Sequence, residues 1–328
     1  MRARVTAAEV AQAAGVSRSA VSRVFTPGAS VAPATRQRVE ATAARLGYRP
    51  NALARTLITR RSRIVGVVMA AIDNPFHAQL LQCLDSALQK RGLAILLRSA
   101  ERPELTDELI LHLLSYQVDG VIVASGLVSS SAAKACVAAR TPVVMLDRLM
   151  RASRASAVGS DNRAAARMAA EHLVAIGRRR IAFMSGTPGV STSDDRARGF
   201  LEGLATAGLQ PVAVASGGYE YAGGQRAARA LLTHAPDGIF CENDLMAMAV
   251  LDEARSAWGI RVPEDLAVVG FDNIPAAALP AYALTTVAQD AQRMAEVAAA
   301  LLETRIEQPG RRATRRTIPC KLIRRQSA

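Results

Sequence analysis

The sequence predicts an all-α headpiece followed by a two-lobed α/β domain whose lobes are doubly wound parallel sheets. Two patterns predict this fold class. Near the N-terminus, two short helical segments flank a glycine, and from residue 64 onward apolar strands alternate with amphipathic helices. The 328 residues suffice for two or three domains, and a hydrophobic content of 50% is typical of globular proteins.

The segment 7–26 predicts two short helices joined by a tight turn. Thr6 and Ser17 each supply a hydroxyl that can cap a helix, and Gly15 can adopt the positive φ of the turn. The apolar positions that can form a small common core are Val10, Ala11, Val16, Val21 and Val24. This helix-turn-helix pattern is typical of proteins that place the second helix in the DNA major groove; an ordinary helical hairpin is the alternative.

Residues 33–46 predict a third helix, with a proline in its first turn and a glycine after its end. Residues 52–58 predict a short helix with little to pack against, and such a helix is marginal by itself. The predicted domains are therefore a headpiece at 1–49 and a hinge helix with linker at 50–62.

The remaining chain, 63–328, predicts two successive series of alternating strands and helices. Strands are predicted at 64–70, 93–98, 118–124, 142–146, 157–160, 180–184, 212–216, 238–241, 266–271 and 284–287, with a last extended segment at 314–324. Helices are predicted at 77–91, 104–116, 130–139, 162–176, 195–207, 223–234, 244–257 and 290–306. Lobe 1 is expected at about 63–161 and 289–318, and lobe 2 at about 162–288 and 319–328.

The charge is high and unevenly distributed. The net charge is +13 and the pI is about 10.6, which favours a polyanionic partner. Residues 1–63 contain twelve arginines and two glutamates, a net charge of +10, so the remaining 265 residues carry only +3. A second basic segment, 311–317 (RRATRRT), is interpreted as a solvated face rather than as another nucleic-acid site.

Neither an export signal nor a membrane span is predicted. The N-terminal sequence MRARVTAAEVAQ has no apolar signal-peptide core, and the apolar run 64–72 is too short to cross a bilayer. The four cysteines are far apart and are expected to be reduced structural thiols. These features predict a soluble, cytoplasmic protein without a membrane partner.

The sequence contains no motif for enzyme chemistry. It has no GxGxxG after a first strand, no P-loop, no nucleophile elbow and no histidines at metal-ligand spacing. We therefore expect no enzyme activity, no cofactor and no metal. The alternatives are an enzyme with an appended headpiece and a transporter's solute-binding protein, which the Arg-rich headpiece opposes.

Several motifs occur in a characteristic order: VAQAAGVSRSAVSRVF, LGYRPNALARTL, IVGVVMAAIDNPFHAQL, PVVMLDR, FCENDLMAMAVL and VPEDLAVVGFDN. On these motifs nearly the whole chain resembles the lactose-repressor (LacI/GalR) family of bacterial transcription regulators. The resemblance implies a headpiece and hinge helix joined to a periplasmic-binding-protein-like sensor that forms a homodimer. It also implies a regulator, expected to be a repressor, that binds a palindromic double-stranded operator. Its DNA affinity would be controlled by a small-molecule effector such as a sugar, a sugar acid or a nucleobase-like metabolite.

The resemblance also implies which headpiece residues bind DNA. Arg18, Ser19 and Arg23 match the family's base-reading positions, and an arginine fork suits guanine O6 and N7. The positions that match phosphate contacts are Thr6, Ser17 and Ser22. The alternative for Arg18 is a solvated arginine that contacts only phosphate.

Three hinge residues complete the predicted DNA-binding set. Leu57 matches the position whose leucine wedges open a central base step in the minor groove. Ala54 allows the two hinge helices of a dimer to approach closely, and Asn51 can cap the hinge helix. The alternative for Leu57 is packing on the sensor.

The effector is expected at the carboxyl ends of the sensor strands, where ligands of such folds bind. The predicted effector-binding residues are Asp73, Phe76, His77, Arg148, Arg196, Tyr219, Asn243 and Asp272. The resemblance matches Arg196 and Asp272 to positions that hold ligand hydroxyls or carboxylates, and Phe76 and Tyr219 to aromatic stacking positions.

Alternatives remain for several of these polar residues. Asp147 and Asn243 at strand ends can instead cap helices or close salt bridges between lobes, and His77 can be a surface residue at a helix start. Asp194 and Asp195 directly precede Arg196 and can either pair with it or cap the following helix.

Overall fold

The computed structural model describes residues 5–26, 28–49, 61–100, 105–124, 129–147 and 155–328. The chain divides into two compact units, Met1–Ser62 and Arg63–Ala328. Among the described helices, none combines the length and the apolar character needed to cross a membrane.

The N-terminal unit contains three described helices around a small apolar core. They are α1 (Ala7–Ala14), α2 (Arg18–Val24) and α3 (Pro33–Leu46). The buried apolar residues are Val10, Ala11, Ala14, Val21, Val24, Val39 and Ala43. Of the residues predicted for this core, Val16 is only partly buried and packs at its edge.

The predicted caps of the helix-turn-helix are present. The Thr6 hydroxyl accepts a hydrogen bond from Glu9 N at 3.3 Å, and the Glu9 carboxylate accepts one from Thr6 N at 2.6 Å. Ser17 accepts from Ala20 N at 3.1 Å, and Gly15 has a φ of 61°. These contacts satisfy backbone donors that the first helical turns leave unpaired.

The second unit contains two six-stranded sheets, one in each lobe. The described strands are β1 (Ile64–Ala70), β2 (Ala94–Ala100), β3 (Gly120–Ala124), β4 (Val143–Leu146), β5 (Ser156–Ser160), β6 (Ile181–Ser185), β7 (Val214–Ser216), β8 (Gly238–Cys241), β9 (Ala267–Asp272), β10 (Thr285–Ala288), β11 (Arg315–Ile318) and β12 (Lys321–Ile323). The strand orders are β11-β5-β4-β3-β1-β2 in lobe 1 and β12-β10-β9-β8-β6-β7 in lobe 2. All described pairings are parallel except β10 with β12.

The helices of this unit connect successive strands. They are α4 (Pro75–Gln89), α5 (Thr106–Ser115), α6 (Ser130–Ala138), α7 (Asn162–Ala175), α8 (Ser191–Ala205), α9 (Tyr221–Leu232), α10 (Asp244–Ser256) and α11 (Ala291–Glu307). The chain crosses between the lobes three times, from β5 to α7, from β10 to α11 and from β11 to β12.

Two sequence predictions of element bounds need correction. Helix α8 begins at Ser191, four residues before the predicted start, because the chain leaves the positive φ of Gly189 and the extended Val190 directly into helical turns. The predicted last extended segment is divided into β11 and β12, which pair in different sheets.

Helices α7 and α8 pack closely through glycines on the face of α8. A Cβ atom added to Gly199 would lie 2.0 Å from the carbonyl oxygen of Arg163, the second residue of α7. On the sheet side, the rings of Phe183, Phe200 and Phe240 stack with centroid distances of 4.9–5.9 Å. The close helix contact therefore fixes α8, which carries Arg196, against the sheet.

The substitution Gly199→Ala should destabilise this unit by about 1–3 kcal/mol, since the added methyl group collides with backbone that cannot move independently. The measurement is the midpoint of urea unfolding. Gly310→Ala is the matched control, because a Cβ at Gly310 meets open space. If the two variants unfold at the same urea concentration, the packing described for Gly199 is wrong.

Candidate functional site

The outer face of α2 carries the predicted DNA-contact residues. Ser17, Arg18, Ser19, Ser22 and Arg23 are exposed, whereas the valines of the same helix face the core. The Arg23 Nε atom donates to the Ser19 carbonyl at 3.4 Å, and the Ser17 and Ser19 hydroxyls are 2.8 Å apart. The exposed cations and hydroxyls thus lie on one accessible helix face.

Arg36 has a structural role that the sequence analysis did not identify. Its guanidinium donates to the carbonyl oxygens of Val24 at 2.9 Å and Ala29 at 3.3 Å. It therefore ties α3 to the C-terminal end of α2. The predicted hinge residues Asn51, Ala54 and Leu57 lie outside the described residues and stay predictions.

A cavity of about 370 Å³ lies between the two lobes at the carboxyl ends of their strands, and we call it the cleft cavity. Six of the predicted effector-binding residues line it: Asp73, Phe76, His77, Arg196, Tyr219 and Asp272. Further lining residues that were not predicted are Thr192, Glu220, Tyr221, Leu245 and Gln289. Both lobes therefore contribute side chains to a single site.

Arg196 lies buried at the base of the cleft cavity, with 4% of its surface exposed. Its Nε donates to Asn162 Oδ1 at 2.8 Å, and one terminal nitrogen donates to the carbonyl oxygen of Glu242. The other terminal nitrogen lies 3.9 Å from Asp272 Oδ1, and the guanidinium carbon is 3.7 Å from the ring centroid of Phe271. Hydrogen bonds, an ion pair and a cation–π contact together offset the cost of burying this charge.

Asp272 is linked to lobe 1 through a short chain of hydrogen bonds. The Ser160 hydroxyl donates to Gln289 Oε1 at 2.6 Å, and Gln289 Nε2 donates to Asp272 Oδ1 at 2.7 Å. Ser160 ends β5 in lobe 1, while Asp272 ends β9 in lobe 2. A ligand that bonds to Asp272 thus touches a network that spans both lobes.

Burial raises the pKa of Asp272 to about 7, with Arg196 opposing this shift and the nearby Asp244 carboxylate adding to it. Burial likewise raises the pKa of Asp244 to about 7, although this carboxylate accepts from Thr286 Oγ1 at 2.5 Å and from Ile274 N at 2.8 Å. Because Asp244 and Asp272 share one buried region, ionisation of both carboxyl groups at once is disfavoured near neutral pH.

Several residues at or next to the cleft cavity have strained backbone conformations. Asp147, Tyr219, Asp272 and Asn273 have φ values of 64°, 66°, 113° and 58°, in the region that non-glycine residues rarely adopt. Such conformations persist where surrounding contacts hold them, and they are frequent at ligand sites.

Glu242 is a buried carboxylate that the sequence analysis did not single out. Its Oε2 accepts from Gly186 N at 2.8 Å, Ser193 Oγ at 2.6 Å and Tyr219 Oη at 3.0 Å. Burial raises the pKa of both Glu242 and Tyr219, so the phenol stays a neutral donor. A Cβ on Gly186 would lie 2.0 Å from the Tyr219 ring, so only glycine leaves room for it. Glu242 therefore orients Tyr219 in the cavity.

Comparison with known proteins identifies the family. The model of bacterial regulatory proteins of the lacI family matches residues 6–51, and a periplasmic binding protein-like domain matches 170–328. The HTH-type transcriptional regulator CelR of Thermobifida fusca is 34% identical over 337 residues, 99% of each chain. The ribose operon repressor of Bacillus subtilis (strain 168) is 33% identical over 95% of this chain and 99% of its own length. This chain belongs to the LacI family of transcription regulators.

Solved structures of the LacI family share the whole fold. The Lac repressor dimer bound to operator and the anti-inducer ONPF has a TM-score of 0.89 at 26% identity, covering 99% of both chains. The complex of the regulator CelR with cellobiose has a TM-score of 0.75 at 32% identity, covering 99% of this chain and 100% of CelR. The predicted fold class and the role as a DNA-binding regulator with a small-molecule effector are confirmed, and the family is one of regulators, not enzymes.

Asn243 and Arg148 are the two predicted effector contacts of this LacI-family chain that are not among the six lining residues. Asn243 does not line the cleft cavity: its Oδ1 caps α10 by accepting from Met246 N, and its Nδ2 donates to Tyr219 O, both at 3.0 Å. The helix-cap alternative thus describes its side chain, whose oxygen and nitrogen are each bonded to protein backbone. His77 lines the cavity, with Nδ1 3.0 Å from the Ala70 carbonyl oxygen. Arg148 lies outside the described residues.

The two acids before Arg196 take neither of the roles considered for them. Because α8 begins at Ser191, Asp194 is inside its first turn rather than at the cap, which is Val190. Within the described residues, the carboxylate paired with Arg196 is Asp272.

The buried carboxyl pair predicts a pH dependence of stability. The unfolded chain releases these protons near its ordinary pKa of 3.8, whereas the native pair retains protons up to about 7. This contribution to the free energy of unfolding is therefore present below about pH 4 and is lost as the pH rises through about 7. Urea unfolding at several pH values measures the slope of the unfolding free energy against pH. Asp244→Asn should flatten this slope near neutral pH.

Asp265→Asn is the control for this slope, because the Arg261 side chain lowers the pKa of the exposed Asp265 and confines its effect to acid pH. Identical slopes for the wild type and Asp244→Asn would contradict the assignment of raised pKa values to the pair.

Proposed function

We propose that the chain is a homodimeric, cytoplasmic repressor whose affinity for a palindromic operator changes when a neutral sugar binds in the cleft cavity. The observation that carries the proposal is the cavity itself, where polar groups from both lobes surround Arg196 and Asp272. We keep the division into a headpiece at 1–49, a hinge at 50–62 and a two-lobed sensor at 63–328 as part of the proposal.

The charge of the cleft cavity supports a neutral, hydroxyl-rich effector. Four acidic side chains line it, those of Asp73, Asp147, Glu220 and the partly protonated Asp272, whereas the one arginine among its described lining residues is already bonded to protein groups on several sides. A sugar acid or phosphorylated sugar would meet net repulsion, so the structure favours neutral sugars over the sugar acids considered from sequence.

The shape and chemistry of the lining agree with this choice. Phe76 and Tyr219 offer aromatic faces, and carboxylate oxygens next to a guanidinium suit paired hydroxyl groups. The volume of about 370 Å³ is within the range of small-molecule sites. Related structures with sugars bound, namely CelR with cellobiose and an Enterococcus faecium regulator with ribose, support the same class.

On the DNA side, Arg18, Ser19 and Arg23 are proposed to read bases from α2, while Thr6, Ser17 and Ser22 contact phosphates. The exposure of Arg18, Ser19, Ser22 and Arg23 on α2 and of its cap Ser17 supports this assignment, whereas Thr6 is an exposed residue that caps α1. The hinge contacts of Asn51, Ala54 and Leu57 are proposed from the family resemblance alone.

Base readout is tested by Arg18→Ala. The variant should lose about 1–3 kcal/mol of binding free energy at the cognate operator and relax one position of the site, because a bidentate guanine contact is removed. Fluorescence anisotropy with a duplex selected from a randomised library by the wild type, and with a random duplex, measures both affinities.

Arg38→Ala is the matched control for this change, since it removes an equal charge from an exposed position on α3. Equal losses for Arg18→Ala on selected and random DNA would show that Arg18 contacts phosphate and reads no base.

Coupling is tested by reciprocity. A screen of neutral sugars by thermal shift identifies the effector, because a ligand of the folded state raises apparent stability. If that sugar changes operator affinity by some factor, saturating operator must change sugar affinity by the same factor. Equal sugar affinities with and without operator would refute the regulatory mechanism even if both binding activities are real.

Asp272→Asn should weaken sugar binding by about 1–3 kcal/mol and leave operator affinity without sugar near the wild-type value. The cavity would lose an acceptor, whereas the headpiece residues are unchanged. Asp85→Asn on α4 serves as its control, since this acid lies outside the cavity lining. Unchanged sugar affinity in Asp272→Asn would place the effector elsewhere.

A further inference from the structure

A second and larger cavity, of about 540 Å³, lies in lobe 1, and we call it the basic cavity. It runs along α11 and is bounded by the C-terminal end of α4 and by residues 311–316. Ser156 and Thr314, at the N-terminal ends of β5 and β11, close one side. Because the cleft cavity is at the carboxyl ends of the strands, the two sites are at opposite edges of the lobe 1 sheet.

The lining of the basic cavity is strongly cationic. It contains seven cations and a single carboxylate, that of Glu296. Two of the cations are paired with acids: Arg293 lies 3.7 Å from Glu296, and Arg91 lies 3.1 Å from Glu303. The other five, which form no ion pair with any described carboxylate, are Lys90, Arg305, Arg311, Arg312 and Arg316. The lining therefore carries a net charge of +6, which is more than the net +3 of all residues beyond 63.

Arg305 gives a second, independent indication of a missing acceptor. One of its terminal nitrogens donates to the Arg311 carbonyl oxygen at 2.9 Å and so holds the 311–316 segment against α11. Its Nε is buried and has no hydrogen-bond partner among the residues that the structure describes. Buried donors are normally satisfied, so an acceptor atom in this cavity would complete the arrangement.

We propose that the basic cavity is a second ligand site, which binds a small metabolite carrying two or three linked phosphate groups. Guanidinium groups bind phosphate through paired, charge-assisted hydrogen bonds. The five unpaired cations come from three separate segments, namely the ends of α4 and α11 and the 311–316 segment. Because these cations come from three separate segments, a chain of linked phosphates offers them more charged oxygens than a single phosphate does and neutralises more of the charge.

The site differs from the cleft cavity in the charge it accepts. The cleft cavity is rich in carboxylates and selects a neutral sugar, whereas the basic cavity repels cations and gains from every added negative charge. One chain therefore holds two chemically distinct ligands that do not compete.

The test is isothermal titration calorimetry of the full-length chain with sodium triphosphate and, separately, with orthophosphate at constant ionic strength. We expect saturable binding at one site per chain, with triphosphate at least tenfold tighter than orthophosphate. Arg312→Gln and Arg316→Gln should each weaken triphosphate at least tenfold, the loss of one charge-assisted contact. Lys90→Gln, at the end of α4, should also weaken triphosphate binding. This variant keeps the proposal testable if a β11 variant does not fold.

Arg315→Gln is the matched control, because Arg315 precedes Arg316 in β11, points to the opposite face of the strand and does not line the cavity. Equal weakening by Arg315→Gln and Arg316→Gln would overturn the proposal, as would the absence of saturable binding. The headpiece is also basic, so loss of the triphosphate site in the double variant Arg18→Ala/Arg23→Ala would locate the polyanion there and refute the basic cavity as its site.

Discussion

The burial of the Arg196 guanidinium is the constraint on which the sensor site depends. A buried charge is tolerated only when its donors are paired, and the partners of Arg196 come from three places. Asn162 begins α7, the Glu242 carbonyl follows β8, and Asp272 with Phe271 ends β9. One side chain thus fixes the lobe 2 half of the cleft cavity before any ligand arrives.

Three chain crossings join lobe 1 to lobe 2, which carries the Arg196 side of the cleft cavity. Gln289 is at the crossing from β10 to α11, and it connects Ser160 at the end of β5 with Asp272. A polar group that a ligand would meet is therefore bonded to one of the segments that join the lobes. In the proposed regulation, a ligand that alters these hydrogen bonds would act at a chain crossing between the lobes.

Most elements of the fold were predictable because local patterns determine them. Apolar strand runs, capping hydroxyls and Gly15 determine the conformation of the residues next to them. The resulting helices and strands therefore occur close to the predicted bounds. Site roles were less predictable. Asn243 and Asp272 both follow apolar strands, yet only contacts distant in sequence decide that one caps a helix and the other faces the cavity. Glu242 was missed because its partners Gly186 and Tyr219 are far away along the chain.

The same reasoning applies to the basic segment 311–317, which its sequence predicts to be a solvated face. In the folded chain Arg311, Arg312 and Arg316 meet Lys90 from α4 and Arg305 from α11 around one cavity. A run of arginines in sequence shows only local charge, whereas the fold adds cations from two other helices to it and so raises the local positive potential. The arginines of this segment are exposed, as predicted, and the fold places them beside cations of two helices, away from the carboxylate-lined cavity at the carboxyl ends of the strands.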